Sequence, residues 1–239
     1  MIISVDYIVA AILILSSLFV LSLVFNVFDL KGTIAALIVG IIITFAGSIY
    51  WLILMLIFAA TAFMATKYRI QQKAKMKLQE GRDGERHASN VIYAALIGLI
   101  IAVFNVFKVY NLPYFELFSI SFASVNADTF ASEIGVFDKN VRLITNFKKI
   151  VPGINGGISL LGELAAVFGA FIIAFSYSVL NFHNINIISI LIITFLGFLG
   201  CQFDSILGAV FENKNKMTKG QVNAASTLMA VFVGILFSF

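Results

Sequence analysis

Ser124-Val125-Asn126-Ala127-Asp128-Thr129-Phe130-Ala131-Ser132-Glu133-Ile134-Gly135 is the stretch that decides how the chain is read. Phe115 to Ala127 is largely apolar and predicts a membrane-spanning helix. Yet the stretch carries two carboxylates, Asp128 and Glu133, among small or hydroxylated side chains. A carboxylate at bilayer depth costs roughly 2.5–3.5 kcal/mol on insertion scales, so acids inside a span point to function. The competing reading is polar glue between packed helices. Where the other acids of the chain fall decides between the two.

The setting is a membrane. Of 239 residues 61% are hydrophobic and only 12% charged, with a mean hydropathy of +1.03. A soluble domain carries about 25% charged residues. A single cysteine, Cys201, excludes a disulfide scaffold or a cysteine-ligated metal centre. The first segment lacks a basic n-region and a small-residue cleavage site, so it is expected to be a span and not a removed signal.

Spans of about 20 apolar residues are predicted at Val5–Phe25, Asn90–Phe107, Tyr114–Gly135, Gly157–Leu180, Asn186–Leu207 and Gln221–Phe239. Thr33–Phe63 is apolar throughout, and Gly47-Ser48 divides it into two short spans, Thr33–Ala46 and Ile49–Ala65. A re-entrant hairpin is the second reading of that pair. The fold class expected is all-α: a polytopic membrane helix bundle of about eight spans, one integral-membrane domain over residues 1–239.

Fifteen of the sixteen Lys and Arg lie in alternate loops, with only Lys108 opposite. Cytoplasmic loops carry the basic excess, so both termini are expected outside. Residues 67–89 then form a cytoplasmic basic loop, with Lys67, Arg69, Lys73, Lys75, Lys77, Arg82 and Arg86, read either as a helix on the anionic surface or as a solvated face. His87 and Asn90 enter the fourth span at that level and edge the site; His183, in an outer loop, has no chemical role. With this orientation Asp128 and Glu133, Glu163, Asp204 and the amide of Asn223 gather at one depth on four spans near the cytoplasmic face. Packing glue would be scattered, so a site is the stronger reading.

A second loop, 136–156, leads into the next span through Lys148-Lys149-Ile150-Val151-Pro152-Gly153-Ile154-Asn155-Gly156-Gly157-Ile158-Ser159. Glycines let backbone N–H groups approach an anion, and a following helix start adds its positive dipole end. Two lysines upstream act as point charges for phosphate. The alternative is a plain tight loop. Together with acids suited to Mg²⁺, the basic loop describes a site for a metal-bound polyphosphate. In the following span Gly162, Ala166 and Ala170, and Ala165 and Gly169, repeat at a spacing that permits close helix packing.

The motifs Ala127-Asp128-Thr129-Phe130-Ala131-Ser132-Glu133-Ile134-Gly135, Pro152-Gly153-Ile154-Asn155-Gly156-Gly157-Ile158-Ser159 and Asp204-Ser205-Ile206-Leu207-Gly208 resemble those of an integral-membrane family. That family includes plant and cyanobacterial phytyl-phosphate kinase, with archaeal and animal members. More distantly, the first motif is similar to a segment of dolichol and phytol kinases, and the second to one of CDP-diacylglycerol synthases. The resemblance implies a CTP-dependent kinase converting a membrane-embedded isoprenyl monophosphate to its diphosphate. Phosphoryl transfer needs positioning and charge neutralisation more than covalent chemistry. The assignment is then Asp128, Glu133 and Asp204, with Glu163, to Mg²⁺. Lys148, Lys149, Gly153, Gly156, Gly157 and Ser159 hold phosphates, and Asn155 and Asn223 orient them. The expected partners are a nucleoside triphosphate, an isoprenoid lipid phosphate and the bilayer, with no nucleic acid. The rivals are a cytidylyltransferase making a CDP-lipid and an ion-coupled transporter; a transporter should show inverted repeats, and none is convincing here.

Overall fold

The computed structural model describes residues 5–81, 84–181 and 185–237. Within them the long helices are α1 Val5–Phe25, α2 Leu30–Ala46, α3 Ile49–Lys67, α5 Ala88–Phe107, α6 Tyr114–Gly135, α7 Leu160–Leu180, α8 Ile187–Val210 and α9 Lys219–Phe237. They correspond one for one to the eight predicted segments. A short helix, α4 Ile70–Lys75, follows α3, and two-residue strands, β1 Arg142–Leu143 and β2 Gly157–Ile158, precede α7. Arg82, His183 and Asn184 lie outside the described residues. The chain is an all-α polytopic membrane bundle.

Six of these helices are long and apolar enough to cross a membrane: α1, α3, α5, α7, the segment beginning with α8, and α9. At 17 residues α2 is shorter, and it runs beside α1 and α5 from end to end. Near one end Thr33 shares a hydrogen bond with Ser22 (2.7 Å). Near the other, Thr44 O accepts from Tyr7 (2.7 Å) and Ala46 O from Asn105 at the far end of α5 (2.8 Å). Asp29 caps α2 by accepting from Gly32 N–H at 2.6 Å, and α2 ends at Gly47, against which Trp51 packs. Both ends of α2 are thereby tied to α1.

The hub is α6, which packs against α3, α5, α7, α8 and α9. Most of its side chains are buried, including Phe118, Phe122, Ala123, Asn126 and Ala127. Close approach comes from small residues on its neighbours. A Cβ on Gly197 would lie 2.7 Å from that of Ala123, and one on Gly200 would collide with Ser124. On α7, Ala166 and Ala170 are fully buried, as their four-residue spacing implies. Trp51 of α3 stacks on Phe115 of α6 at 5.5 Å between ring centroids, closing the core toward the far end.

Candidate active site

Where the C-terminal half of α6 meets the starts of α7 and α9 and the end of α8, a cleft of about 240 Å³ opens. Four of the acids expected there line it: Asp128, Glu133, Glu163 and Asp204. They differ in what they touch.

Asp128 and Asp204 approach from opposite sides, with their carboxyl groups in hydrogen-bonding reach of one another. Asp204 is steadied by α9. Ser226 Oγ donates to its Oδ2 at 3.0 Å, and Asn223, with its amide nitrogen turned toward the acid, donates to the same oxygen at 3.0 Å. Glu163, in the first turn of α7, accepts from Gln202 Nε2 of α8 at 2.8 Å. These three acids face the cleft.

Glu133 is held elsewhere. The ammonium of Lys73, a fully buried side chain of α4, lies 2.6 Å from Glu133 Oε2. It also donates to the carbonyls of Thr66 (2.6 Å) and Ala65 (3.1 Å) at the end of α3. Thr66 Oγ1 donates to the other carboxylate oxygen at 3.1 Å. A buried charge needs a partner and filled hydrogen-bonding sites, and here every donor of Lys73 is used. The structure therefore does not bring Glu133 together with Asp128 and Asp204 as a joint chelating set. A regular helix puts residues five apart about 140° around its axis, so the two acids of α6 look toward different neighbours.

The same contacts reshape residues 67–89. Gln71, Gln72, Lys75 and Lys77 keep a solvated face on and just after α4, as expected, but Lys73 plugs the segment into the bundle, and Leu78, Glu80 and Arg86 line the cleft. Asn90 Nδ2 donates to Glu80 Oε1 at 2.9 Å, and the Lys219 ammonium at the start of α9 lies 3.4 Å from Glu80 Oε2. Burial pushes the Glu80 carboxyl up, but the Lys219 and Arg86 charges outweigh it and hold it below the usual carboxylate range. His87 turns away, its Nδ1 2.7 Å from Asp29.

Loop 136–156 is a small hairpin. Leu143 N–H donates to Lys148 O (2.9 Å), Ile144 N–H to Gly156 O (2.9 Å) and Ile150 N–H to Val141 O (3.0 Å). This pairing leaves Lys148 and Lys149 exposed to solvent and outside the lining of the cleft, so the structure does not place them as its phosphate ligands. Of the expected backbone donors, Gly157 N–H is already bonded to Ile154 O at 3.1 Å. The glycines have a steric reason. Gly156 sits at φ +78, where a Cβ would come within 2.6 Å of Ser205 O and 2.5 Å of Ala209 Cβ on α8. Gly153, at φ +92, is pressed against Leu78. Pro152 to Ser159 still walls the cleft. Asn155 meets the Glu212 carboxylate, and Ser159 caps α7 by accepting from Gly162 N–H at 3.1 Å.

Among the described residues, the cations that line the cleft are Lys219 and Arg86. Lys219 was not singled out from the sequence. Its signal is spacing: it lies four residues before Asn223 at a helix start, hence on the same face.

A family model described as an integral membrane protein, DUF92, matches residues 13–235. The chain belongs to this family. An uncharacterised membrane protein of Methanocaldococcus jannaschii is 32% identical over 209 residues, 87% of this chain and 84% of the relative. Two relatives come from Arabidopsis thaliana. Protein VTE6, chloroplastic, is 33% identical over 115 residues, 46% of this chain and 34% of its own length. Protein PGR is 28% identical over 207 residues, 77% of this chain and 72% of its own. No solved structure matches the chain. Within the family match lie Asp128, Glu133, Glu163 and Asp204 and the cleft cations Arg86 and Lys219.

Proposed function

We propose that the chain is a prenyl-phosphate kinase of the DUF92 family, moving the terminal phosphoryl group of a nucleoside triphosphate, CTP by resemblance, onto a membrane-embedded isoprenyl monophosphate. The observation that carries this reading is the opposition of Asp128 and Asp204 in a polar cleft flanked by Lys219 and Arg86.

Two carboxylates this close repel unless a proton or a cation lies between them. Their oxygens are the hard donors Mg²⁺ takes, and Mg²⁺ commonly uses one or two protein carboxylates together with water and substrate phosphates. Among the described residues no three His, Cys, Asp or Glu side chains converge as a complete metal cage, and Asp128 and Asp204 would hold the ion together with water and substrate phosphates. Mg²⁺ held there would supply the positive charge that lets a nucleoside triphosphate and a prenyl monophosphate meet.

The chain's own groups do the rest. Ser226 and Asn223 fix the Asp204 carboxylate, and Gln202 fixes that of Glu163. Lys219 and Arg86 take phosphate oxygens, Arg86 through a planar fork suited to them. An oxygen of the prenyl monophosphate attacks the terminal phosphorus. The bond from that phosphorus to its bridging oxygen breaks, and the electron pair leaves with the nucleoside diphosphate. A phosphate monoester whose second ionisation lies near pH 6 is already a dianion at neutral pH, so no base is required. None of the described cleft-lining side chains is a histidine. The prenyl alcohol, lacking that charge, reacts far more slowly.

The domain assignment follows: one integral-membrane unit over residues 1–239, with segments 67–89 and 136–156 forming the cytoplasmic walls of the site. A cysteine placed at Lys149 in a chain lacking Cys201 is then labelled from the cytoplasm alone. Identifying the nucleotide product in a purified, Mg²⁺-dependent reaction tests the activity. CDP supports the kinase. Pyrophosphate moves the protein to CDP-lipid synthesis, and unchanged nucleotide with lipid phosphate present overturns both enzyme readings in favour of transport.

A further inference from the structure

A second cavity, of about 50 Å³, lies beside the cleft and is apolar. Ala36 of α2, Phe58 and Ala62 of α3, Ala95 of α5 and Phe122 of α6 line it, with Leu18 of α1 on its outer side. Its polar groups are confined to Thr66, Arg86, Asn90 and their surroundings. Arg86, Asn90 and Ala94 line both spaces, so the cavity and the cleft share a wall with a guanidinium in it.

Arg86 is well fixed for a loop residue. Its backbone N–H donates to Val27 O and its carbonyl accepts from Asp29 N–H, both at 3.2 Å. Its side chain donates to Thr66 Oγ1 at 3.2 Å. The outer wall is looser, because α1 packs chiefly on α2 and exposes Leu13, Val20 and Leu21.

Resting on the kinase reading, we infer that this cavity receives the phosphate-proximal part of the acceptor's isoprenoid chain, with Arg86 at the junction holding the acceptor phosphate toward the cleft. An amphiphile with a charged head and an apolar body fits a pair of spaces of those two characters joined at a cation. The cavity is too small for a whole isoprenoid tail. Recognition is therefore confined to the unit next to the phosphate, and the remainder of the chain runs past α1 into the bilayer. Acceptors of different length but the same first unit are used about equally.

The test uses the full-length protein in lipid nanodiscs. A prenyl monophosphate bearing a photoreactive diazirine near its phosphate end is irradiated, and the labelled peptides are mapped. Label on α3 and α5, competed by unmodified prenyl monophosphate and not by phosphatidic acid, is the expected result. Label competed equally by phosphatidic acid makes the cavity a bilayer-lipid site and overturns the inference, as does label on α7 or α8. Filling the cavity with Ala62→Phe or the milder Ala95→Val should raise KM for the prenyl monophosphate, by about tenfold for the larger change, and leave KM for the nucleotide in place. An unchanged acceptor KM in both, with a wild-type melting temperature, also overturns it. The two readings fail separately. Cavity labelling without transfer sinks the kinase and keeps the binding site; transfer with label elsewhere does the reverse.

Discussion

Asp128 and Glu133 stand five residues apart on one helix, both deep in an apolar chain, and they have opposite fates. Glu133 faces α3 and α4, where Lys73 and Thr66 fill both carboxylate oxygens. Asp128 faces α8 and the cleft, where the group in hydrogen-bonding reach is another acid, Asp204, and the charges of Lys219 and Arg86 act on it across the cleft. Depth in the membrane does not separate structural from functional acids. Saturation does: a buried carboxylate supplied with donors has no capacity left for a ligand, and one set against its own kind has too much. Asn126 belongs with Glu133, since its Nδ2 donates to Gly169 O at 2.8 Å across to α7. Polar glue and candidate site thus share α6 on different faces.

The contrast breaks most visibly in stability. Glu133→Gln strands the Lys73 ammonium in a fully buried place, and removing one partner of such a pair costs about 3–5 kcal/mol. We expect a large drop in the detergent-solubilised melting temperature. Pairing the change with Lys73→Met should recover much of it; no recovery would mean that Lys73 does not pair with Glu133 in solution.

Asp128→Asn and Asp204→Asn should do the opposite. Each removes charge without volume and relieves repulsion, so the melting temperature holds or rises. Mg²⁺-dependent turnover falls by a factor on the order of 10²–10³. Retention of most turnover by either variant would return that acid to the packing role.

A smaller effect separates the cations. Lys219→Met, in the cleft, should raise KM for the nucleotide about tenfold, whereas Lys148→Ala with Lys149→Ala on the outer hairpin should change it less than about twofold. Equal effects would show that the hairpin closes over the substrate.

The smallest is a pH effect at the Asp29–His87 contact. The hydrogen bond to Asp29 raises the His87 pKa, and its hydrogen bond to His87 lowers that of Asp29. The histidine's contribution is complete below its unfolded value of about 6.5 and is lost as pH rises through the raised one. The aspartate's contribution is present above its own unfolded value and fades as pH falls through the lowered one. Melting temperature should therefore decline slightly between about pH 6 and pH 8, and His87→Gln should flatten that decline.

The helices were legible because hydropathy is local. The predicted Val5–Phe25 and Tyr114–Gly135 match the observed helices at both ends, and Gly47-Ser48 does part α2 from α3. The gathering of Asp128, Glu163, Asp204 and Asn223 was legible too, because orientation plus alternation fixes depth. What the sequence hid was facing. Neither the Lys73–Glu133 pair nor the Glu80–Lys219 contact has a local signature; they join residues 60 and 139 positions apart. Lys148 and Lys149 misled for a related reason. They lie next to the glycines in sequence, but strand pairing between Arg142-Leu143 and Gly157-Ile158 turns them outward.

The central place of α6 has a consequence for how the chain is made. It is not among the six helices apolar enough to enter a bilayer by composition, and it carries Asn126, Asp128 and Glu133. During synthesis α3 and α5 are in the membrane before α6 emerges, while α7, α8 and α9, which cover its other sides, come later. A segment with that polarity is retained in lipid only if neighbours satisfy it. Thr61, which donates to Asn126 Oδ1 at 3.3 Å, and Lys73 are both already waiting on the N-terminal side. The acid left for the cleft, Asp128, gains its wall only when α8 and α9 arrive, so the site is the last part of the molecule to exist.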